Sequence, residues 1–408
     1  MREENKMITK QKQESVWRKD IEVISESKNH GTERRERVNL AALSSEVLSP
    51  GSNLFLQRRN KSRANLSLAA NAGLADYKLT PKKPTLISLD EAQALRAQGF
   101  KAADLHVHTF YSYDVVPTRE VDPLVLYEKA RARGMSFVSF TDHDTMDAYD
   151  RIGWTREGLV PGVEVKILDR QKVGHTVHVN VYLLDKRQFE EIERIARVAQ
   201  DVELLVEYLR AENLPFTFNH PFWHEPGEKL NARAVVELAE LFPVLEYNLG
   251  RIKKLNQLML KLAAEKNKGV VAGTDSHTGD IGRIFTVARG EDFAEFFESV
   301  SKGHSCLVTE DLNYQRVKKE IFERLEMLLD RGKWVMPKKG LAMETGNVLV
   351  DGVIENLAGG GAGWLRLGHS ILKAVAMAIS QTGLPAVMYL RKQNQLAARL
   401  QEELGLAL

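Results

Sequence analysis

The chain has 408 residues, of which 43% are hydrophobic and 27% are charged, and its formal net charge is +2. These values are typical of a globular protein and give no electrostatic reason to expect binding to nucleic acid or to a membrane surface. The single cysteine, Cys306, excludes an internal disulfide and a cysteine-based zinc site. Any bound metal must therefore have histidine and carboxylate ligands.

Two segments bear on where the protein resides. The N-terminal stretch MREENKMITKQKQES has no apolar run of the kind that a secretion signal requires, and one cysteine fits a reducing compartment. Residues 371–390, ILKAVAMAISQTGLPAVMYL, have about the length of a membrane span. They contain Lys373, Gln381, Gly383 and Pro385, which favour a buried or amphipathic helix broken at Gly383 and Pro385. We predict a cytoplasmic protein without stable membrane association.

Composition divides the chain into three regions. Residues 1–80 are rich in charge, Ser and Asn and poor in aromatics, which predicts a flexible tail that is disordered or weakly structured. Residues 81–312 are predicted to form the main domain. Residues 313–408 are predicted to be a small helical C-terminal extension, in which YQRVKKEIFERLEMLLDRGKW forms one helix and NLAGGGAGWLRLGH is a flexible link.

The middle region alternates short apolar runs with amphipathic stretches. The helix DPLVLYEKARARG has Asp122 as its N-cap, Pro123 at its first position and Gly134 just past its end. DKRQFEEIERIARVAQDVELLVEYLRAEN is long enough for one long helix or two short ones. Strands that alternate with helices imply a parallel sheet. We predict an irregular (β/α) barrel, with a doubly wound open sheet as the alternative; the strands are KAADLHVH, SFVSFTD, GVEVKIL, HTVHVNVYLL, PFTFNH, PVLEYN and GVVAGTD.

Histidines and carboxylates collect at the C-terminal ends of these strands, where function concentrates in barrels and open α/β sheets. His106 and His108 are two residues apart on a predicted strand, so both imidazoles point to the same face. One such pair could be incidental, but the recurrence at several strand ends is hard to explain as packing. The other members are His143, His175, His178, His220, His224, His277, Asp114, Asp142, Asp144, Glu164 and Asp275.

Imidazole nitrogens and carboxylate oxygens suit Zn²⁺, Mn²⁺ and Fe²⁺, and this set exceeds what one ion needs. A cluster of two or three divalent metal ions with a bridging carboxylate is the simplest interpretation. Such clusters supply a bridging hydroxide at neutral pH and stabilise both the attacking and the leaving oxygen of an in-line displacement. The predicted reaction is hydrolysis, and the predicted substrate is a phosphate ester.

The order of the motifs resembles that of a known family. His-x-His, Thr-Asp-His-Asp, Gly-x-Glu, a strand-end His, x-His-Pro and Gly-Thr-Asp-Ser-His occur in this order in the PHP (polymerase and histidinol phosphatase) superfamily. The resemblance covers roughly residues 100–310. It implies a distorted (β/α)7 barrel, a trinuclear metal site and phosphoesterase activity.

Transferred to this sequence, the resemblance implies three sets of metal ligands. The first set is His106, His108, Glu164 and Asp275. Glu164 would bridge to a second ion, which is completed by His178 and His220. The third ion would be held by Asp114, His143 and His277. His175 is an alternative to His178 as the metal ligand on this strand, and the alignment of VHVNVYLLD with the family's strand favours His178.

Other residues are candidates for catalysis or for substrate binding. Asp275 and Glu164 are predicted to be the central catalytic residues. His224 could protonate a leaving alkoxide, or it could contact the metal ligands without binding a metal itself. Arg251 and Arg283 follow strand ends and could hold a phosphate, although surface ion pairs would explain both equally well. Lys166 follows Glu164 at strand spacing and could share its face.

Three functions are considered. The first is a metal-dependent phosphoesterase acting on a small phosphorylated metabolite or on a nucleotide or oligonucleotide end. The second is a metal-dependent amidohydrolase, which also uses strand-end histidines in a barrel, but in a different motif order. The third is a non-catalytic regulatory or scaffold protein with a metal site. The sequence favours the first, and nothing in it indicates an oligomeric state.

Overall fold

The computed structural model describes residues 84–336 and 365–405. The predicted tail, residues 1–80, lies outside this range. So does most of the predicted Gly-rich link, whose last part is helical from Leu365 onwards. The described residues belong to one compact unit, Lys78–Leu408.

The described part of the chain contains ten strands and eleven α-helices. The strands are β1 (Thr85–Ile87), β2 (Lys101–Val107), β3 (Phe137–Phe140), β4 (Gly162–Leu168), β5 (Thr176–Tyr182), β6 (Phe216–Phe218), β7 (Val244–Asn248), β8 (Gly269–Gly273), β9 (Phe285–Ala288) and β10 (Cys306–Val308). The helices are α1 (Leu89–Ala97), α2 (Pro123–Ala132), α3 (Asp147–Ile152), α4 (Lys186–Arg194), α5 (Val202–Ala211), α6 (Ala232–Leu241), α7 (Lys253–Glu265), α8 (Phe293–Ser301), α9 (Tyr314–Leu329), α10 (Leu365–Thr382) and α11 (Leu384–Leu404).

The strands form two five-stranded sheets, in the orders β1-β10-β9-β2-β3 and β4-β5-β6-β7-β8. Isolated parallel bridges connect the two sheets on both sides. His143 after β3 pairs with Glu164 in β4, and Val107 in β2 pairs with Ser276 after β8. The result is a mixed α/β fold in which the ends of β2, β3, β4 and β8 lie close together.

The alternation of strands and helices predicted a parallel sheet, but both sheets are mixed, so this prediction is wrong. The pairs β2–β3, β6–β7 and β7–β8 are parallel, but β4–β5 and β5–β6 are antiparallel. The connection from Leu168 to Thr176 is too short for the crossover that a parallel neighbour requires, so β5 must run back along β4.

Helix signals in the sequence predicted helix ends well. The Asp122 carboxylate accepts a hydrogen bond from the Leu124 N–H at 2.9 Å, and Pro123 occupies the first turn of α2. Gly134 has a φ of 76°, as the turn after this helix requires. The long amphipathic stretch is two helices, α4 and α5, separated by a π-helical turn at Ile195–Ala199.

The C-terminal helices pack against the sheet-containing body. The side-chain amide of Gln393 on α11 donates to the Gly250 carbonyl at 3.1 Å and accepts from the Ile252 N–H at 3.0 Å. Gly383, with a φ of 74°, separates α10 from α11, and Pro385 lies in the first turn of α11, which confirms the predicted break. No helix in the described part of the chain is both long and apolar enough to cross a membrane.

Candidate metal centre

His106 and His108 place their rings on the same side of β2, as the two-residue spacing predicted. Their Nε2 atoms are 3.1 Å apart, and both side chains are buried. Oδ1 of Asp275, which lies just after β8, is 3.4 Å from Nε2 of His106 and 3.2 Å from Nε2 of His108. Three donor atoms from two strand ends therefore converge on one point.

Glu164 lies at the centre of the cluster and is completely buried. Its Oε2 is 3.0 Å from Nε2 of His106 and 3.2 Å from Nε2 of His108. Its Oε1 is 3.1 Å from Nδ1 of His178 and 3.2 Å from Nε2 of His220. Oε2 also lies 3.2 Å from Nδ1 of His143. The two oxygens of one carboxylate thus face different histidines, which is the arrangement that a bridging ligand requires.

A third group lies on the other side of His108. Oδ2 of Asp114 is 2.7 Å from Nε2 of His277 and 3.7 Å from Nε2 of His143. The rings of His108 and His277 are 4.3 Å apart between centroids. Asp114, His143 and His277 therefore form a set of donors next to the first one.

The donor atoms have the spacing of metal ligands. Ligands at about 2.1 Å from a tetrahedral ion lie about 3.4 Å from each other. The donors around His106, His108, Glu164 and Asp275 are 3.0 to 3.4 Å apart. Four overlapping groups can each offer one donor atom per residue within 4.8 Å, and their members include all nine predicted ligands: His106, His108, Asp114, His143, Glu164, His178, His220, Asp275 and His277.

Two of these residues have an unusual backbone conformation. His220 has a φ of 25° and Asp275 a φ of 51°, both in the left-handed region that side chains other than glycine disfavour. The His220 N–H donates to Oε2 of Glu246 at 2.9 Å, and the Asp275 N–H donates to the His106 carbonyl at 2.8 Å. Local strain that is held by specific hydrogen bonds is typical of functional sites.

The electrostatics of the cluster keep its carboxylates ionised. Burial raises the pKa of Glu164, but the imidazoles of His106, His143 and His178 lower it more, so it lies well below its usual range. Burial lowers the pKa of His108, but hydrogen bonds to Asp275 and Glu164 raise it to about 10. Because a metal binds neutral imidazole, a cation entering this cluster would displace protons.

Several buried residues outside the predicted ligand set hold the cluster in place. Nδ1 of His106 is 2.6 Å from Oε1 of Glu246. The Asn219 amide donates to Oε1 of Glu164 at 2.8 Å, and the Asn248 amide donates to Oδ2 of Asp275 at 3.1 Å. The available signal was a polar side chain inside an otherwise apolar strand, as in PVLEYN and PFTFNH.

The structure shows which of the two candidate histidines on or near β5 belongs to the cluster. His178 belongs to the cluster, whereas Nδ1 of His175 accepts a hydrogen bond from the Asn231 N–H at 3.4 Å and is in none of the four groups. His224 is also outside these groups and does not line the adjoining cavity, and its Nδ1 lies 3.0 Å from the Glu225 carbonyl. A proton-donor role for His224 stays a prediction.

The predicted cationic residues differ in their partners. Lys166 forms an ion pair with the buried Glu225, and Arg283 forms ion pairs with Glu310 and Asp280. Arg251 lines the cavity above the cluster and makes no ion pair with the residues that the structure describes; its Nε is buried without a hydrogen-bond partner there. Of the three, Arg251 has the side chain that is most available to a ligand.

The cluster forms the floor of a cavity of about 910 Å³. Aromatic side chains of Tyr113 and Trp223 stand beside it, and the C-terminal helices α9, α10 and α11 contribute to its wall. One wall residue, Arg324 on α9, was not singled out in the sequence. A pocket of this size can enclose a small organic molecule.

Comparisons with known proteins find similarity only to solved structures. No family model and no curated protein matches the chain. PsfC from Pseudomonas syringae has a TM-score of 0.43 and 18% identity over 56% of this chain and 99% of its own. A protein assigned as a metal-dependent phosphoesterase from Bifidobacterium adolescentis has a TM-score of 0.31 and 18% identity over 45% of this chain and 91% of its own. An amidohydrolase from Chromobacterium violaceum has a TM-score of 0.31 and 14% identity over 50% of this chain and 96% of its own.

These similarities are too remote to support a functional argument, so the fold and the cluster themselves define the class. The chain is a mixed α/β protein with a buried histidine–carboxylate cluster that can bind divalent metal.

Proposed function

We propose that this protein is a metal-dependent phosphate-ester hydrolase of the PHP superfamily. The observation that carries the proposal is the position of Glu164, one oxygen of which faces three histidines while the other faces two different ones. A third donor set lies alongside, at Asp114, His143 and His277. Three adjacent donor sets around one shared carboxylate are suited to a multinuclear centre of Mn²⁺, Zn²⁺ or Fe²⁺.

The strand order supports a distorted (β/α)7 barrel as part of this proposal. Starting at β2, neighbouring strands run through β3, across the His143–Glu164 bridge to β4, and on to β8. The Val107–Ser276 bridge then leads back to β2. Seven strands complete this circuit, and β9, which pairs with β2, continues the first sheet to β10 and β1.

Each proposed role follows from what the side chain contacts. Glu164 holds two sets of donors together, and Asp275 completes the first set at the floor of the cavity. Bound divalent ions would polarise the ester and lower the pKa of water, which is the chemistry that phosphate-ester hydrolysis needs. Arg251 and Arg324 present positive charge to the same cavity, where they would bind the phosphate oxygens.

The proposed substrate is a small phosphorylated metabolite or the phosphate end of a nucleotide or oligonucleotide. A screen with Mn²⁺ and an EDTA control tests this with a phosphomonoester, a phosphodiester, sugar phosphates, 5′-phosphorylated oligonucleotides and N-acyl amides. Chelator-sensitive phosphate release is expected. Hydrolysis of the amides alone would show an amidohydrolase, and no turnover by protein with bound metal would show a non-catalytic protein.

A further inference from the structure

The cavity above the cluster has two chemically different halves. Its floor consists of the histidines and carboxylates described above. Its opposite wall is formed by helices that lie outside the motif-bearing region, and it is rich in aliphatic side chains. Six of these are Ile321 and Leu325 on α9, Val375 and Ile379 on α10, and Leu384 and Met388 on α11.

Four of the side chains on this wall are unusually exposed for their type, whereas Ile321 and Leu325 are half-buried. Val375 is 47% exposed, Ile379 49%, Leu384 57% and Met388 51%. Single exposed aliphatic residues are common, but a contiguous group that lines a cavity is typical of a ligand-binding surface. A phosphate group would occupy only the metal end of a cavity of about 910 Å³, which leaves this half for the rest of the substrate.

Arg324 lies where the two halves meet. Its guanidinium is 2.9 Å from Oε1 of Glu320, while its Nε is buried and has no hydrogen-bond partner among the described residues. Burial lowers the pKa of this guanidinium, but Glu320 and two members of the cluster, Asp114 and Asp275, raise it above its usual value. The neighbouring residues Ile321 and Leu325 lie on the aliphatic wall. One side chain thus links the anion-binding floor with an apolar surface.

We propose that α9, α10 and α11 form the binding surface for the alcohol part of the substrate, and that this alcohol is apolar. The substrate class is then a phosphate ester of an alkyl or similar apolar alcohol. In the reaction, water adds to phosphorus and the bond from phosphorus to the alcohol oxygen breaks. The alcohol leaves with a proton, and inorganic phosphate is released. This inference rests on the proposed phosphate-ester hydrolase activity.

A series of n-alkyl phosphates tests the proposal on the full-length, Mn²⁺-loaded protein. The value of kcat/KM is expected to rise about threefold per added methylene from methyl to hexyl phosphate, because each methylene is transferred from water to an apolar surface. Binding of methylphosphonate and hexylphosphonate, measured by calorimetry, should show the same preference without depending on turnover.

Met388 and its neighbour Val387 provide a matched pair of variants. Both are 51% exposed on the same helix, but only Met388 lines the cavity. Met388→Ser should lower the hexyl-to-methyl ratio about fivefold for both kcat/KM and phosphonate affinity, whereas Val387→Ser should keep the wild-type ratio.

Three results would overturn the proposal. The first is a wild-type protein that hydrolyses methyl phosphate but shows no dependence on chain length, in which case the phosphoesterase function stands and the apolar substrate does not. The second is an equal effect of the two variants. The third is an unchanged hexyl-to-methyl ratio in Met388→Ser together with a change of its oligomeric state on size-exclusion chromatography. This would show that a second copy covers this wall. No hydrolysis of any phosphate ester would instead remove the proposed function itself.

Discussion

Nδ1 of His106 lies 2.6 Å from Oε1 of Glu246, and both side chains are buried. The contact orients the ring so that Nε2 faces His108 and Glu164. The other oxygen of Glu246 accepts hydrogen bonds from the His220 N–H at 2.9 Å and from the Asn248 amide at 3.1 Å. One carboxylate, outside the predicted ligand set, thus holds three parts of the centre.

Glu246→Gln should weaken metal binding while the protein stays folded. A carboxylate behind a ligating histidine fixes the ring and raises its basicity, and losing such a partner typically lowers metal affinity about 10- to 100-fold. Competition between the protein and a fluorescent chelator for Zn²⁺ would measure this. The exposed Glu240→Gln serves as control, and equal affinities in the two variants would contradict the assigned role of Glu246.

Glu164→Gln should reduce the number of bound ions and not merely their affinity. The two carboxylate oxygens face different histidines, so replacing the carboxylate by an amide removes an anionic ligand from two donor sets at once. Metal content after dialysis, measured by mass spectrometry, should fall by about two ions per chain. Glu225→Gln changes another buried cavity carboxylate that is in none of the donor groups, and it should keep the wild-type content.

Asp275→Ala should abolish turnover and leave the fold intact. Its Oδ1 lies within 3.4 Å of two imidazole nitrogens. The hydrogen bond from its N–H to the His106 carbonyl does not involve the side chain, so alanine keeps it. We expect kcat to fall at least about 100-fold, with an unchanged circular dichroism spectrum. Asp280→Ala, which changes a surface ion-pair residue of the same cavity, should retain activity. Near-wild-type rates for Asp275→Ala would show that the Asp275 side chain is not part of the catalytic centre.

Arg251→Met and Arg324→Met should weaken inhibition by inorganic phosphate, each by about tenfold, since each removes a charged donor whose Nε has no hydrogen-bond partner among the described residues. Arg283→Met should have a smaller effect, because both its Nε and a terminal nitrogen already bond to Glu310, whereas Arg324 bonds to Glu320 through a terminal nitrogen only. Inhibition constants at fixed Mn²⁺ would rank the three. A ranking with Arg283→Met as the most affected variant would reverse our assignment.

Glu193 should make the stability of the protein depend on pH. Burial, together with the charge of Asp144, raises the pKa of its carboxyl to about 7 in the folded protein, despite the nearby Arg197. The folded state then binds more protons than the unfolded state between about pH 4.5 and 7, so this group's contribution to the free energy of unfolding falls as the pH rises through that window.

Urea denaturation of wild type and Glu193→Gln at pH 5 and pH 8 measures this contribution. The variant does not ionise, so its free energy of unfolding relative to wild type should increase by about 1–3 kcal/mol from the lower to the higher pH. A difference that does not change with pH would show that Glu193 titrates normally.

Much of the site could be predicted because its signals are local in the sequence. The two-residue period of a strand places His106 and His108 on one face whatever the neighbouring strands are. Likewise, Asp122, Pro123 and Gly134 mark the ends of α2 through hydrogen bonds and backbone angles within a single turn. Residue type and position at strand ends gave a wider set of candidates, and the resemblance in motif order implied nine of them as metal ligands; all nine lie together.

Other features depend on which distant elements become neighbours. Glu246 contacts His106 across 140 residues, and only the packing of β7 near β2 brings them together. The short link after Leu168 decides that β5 is antiparallel to β4. Arg324 lies on a helix with an ordinary amphipathic pattern, and nothing in that pattern shows that it faces the cavity. Local periodicity determines the face on which a side chain lies, whereas long-range packing determines what that face meets.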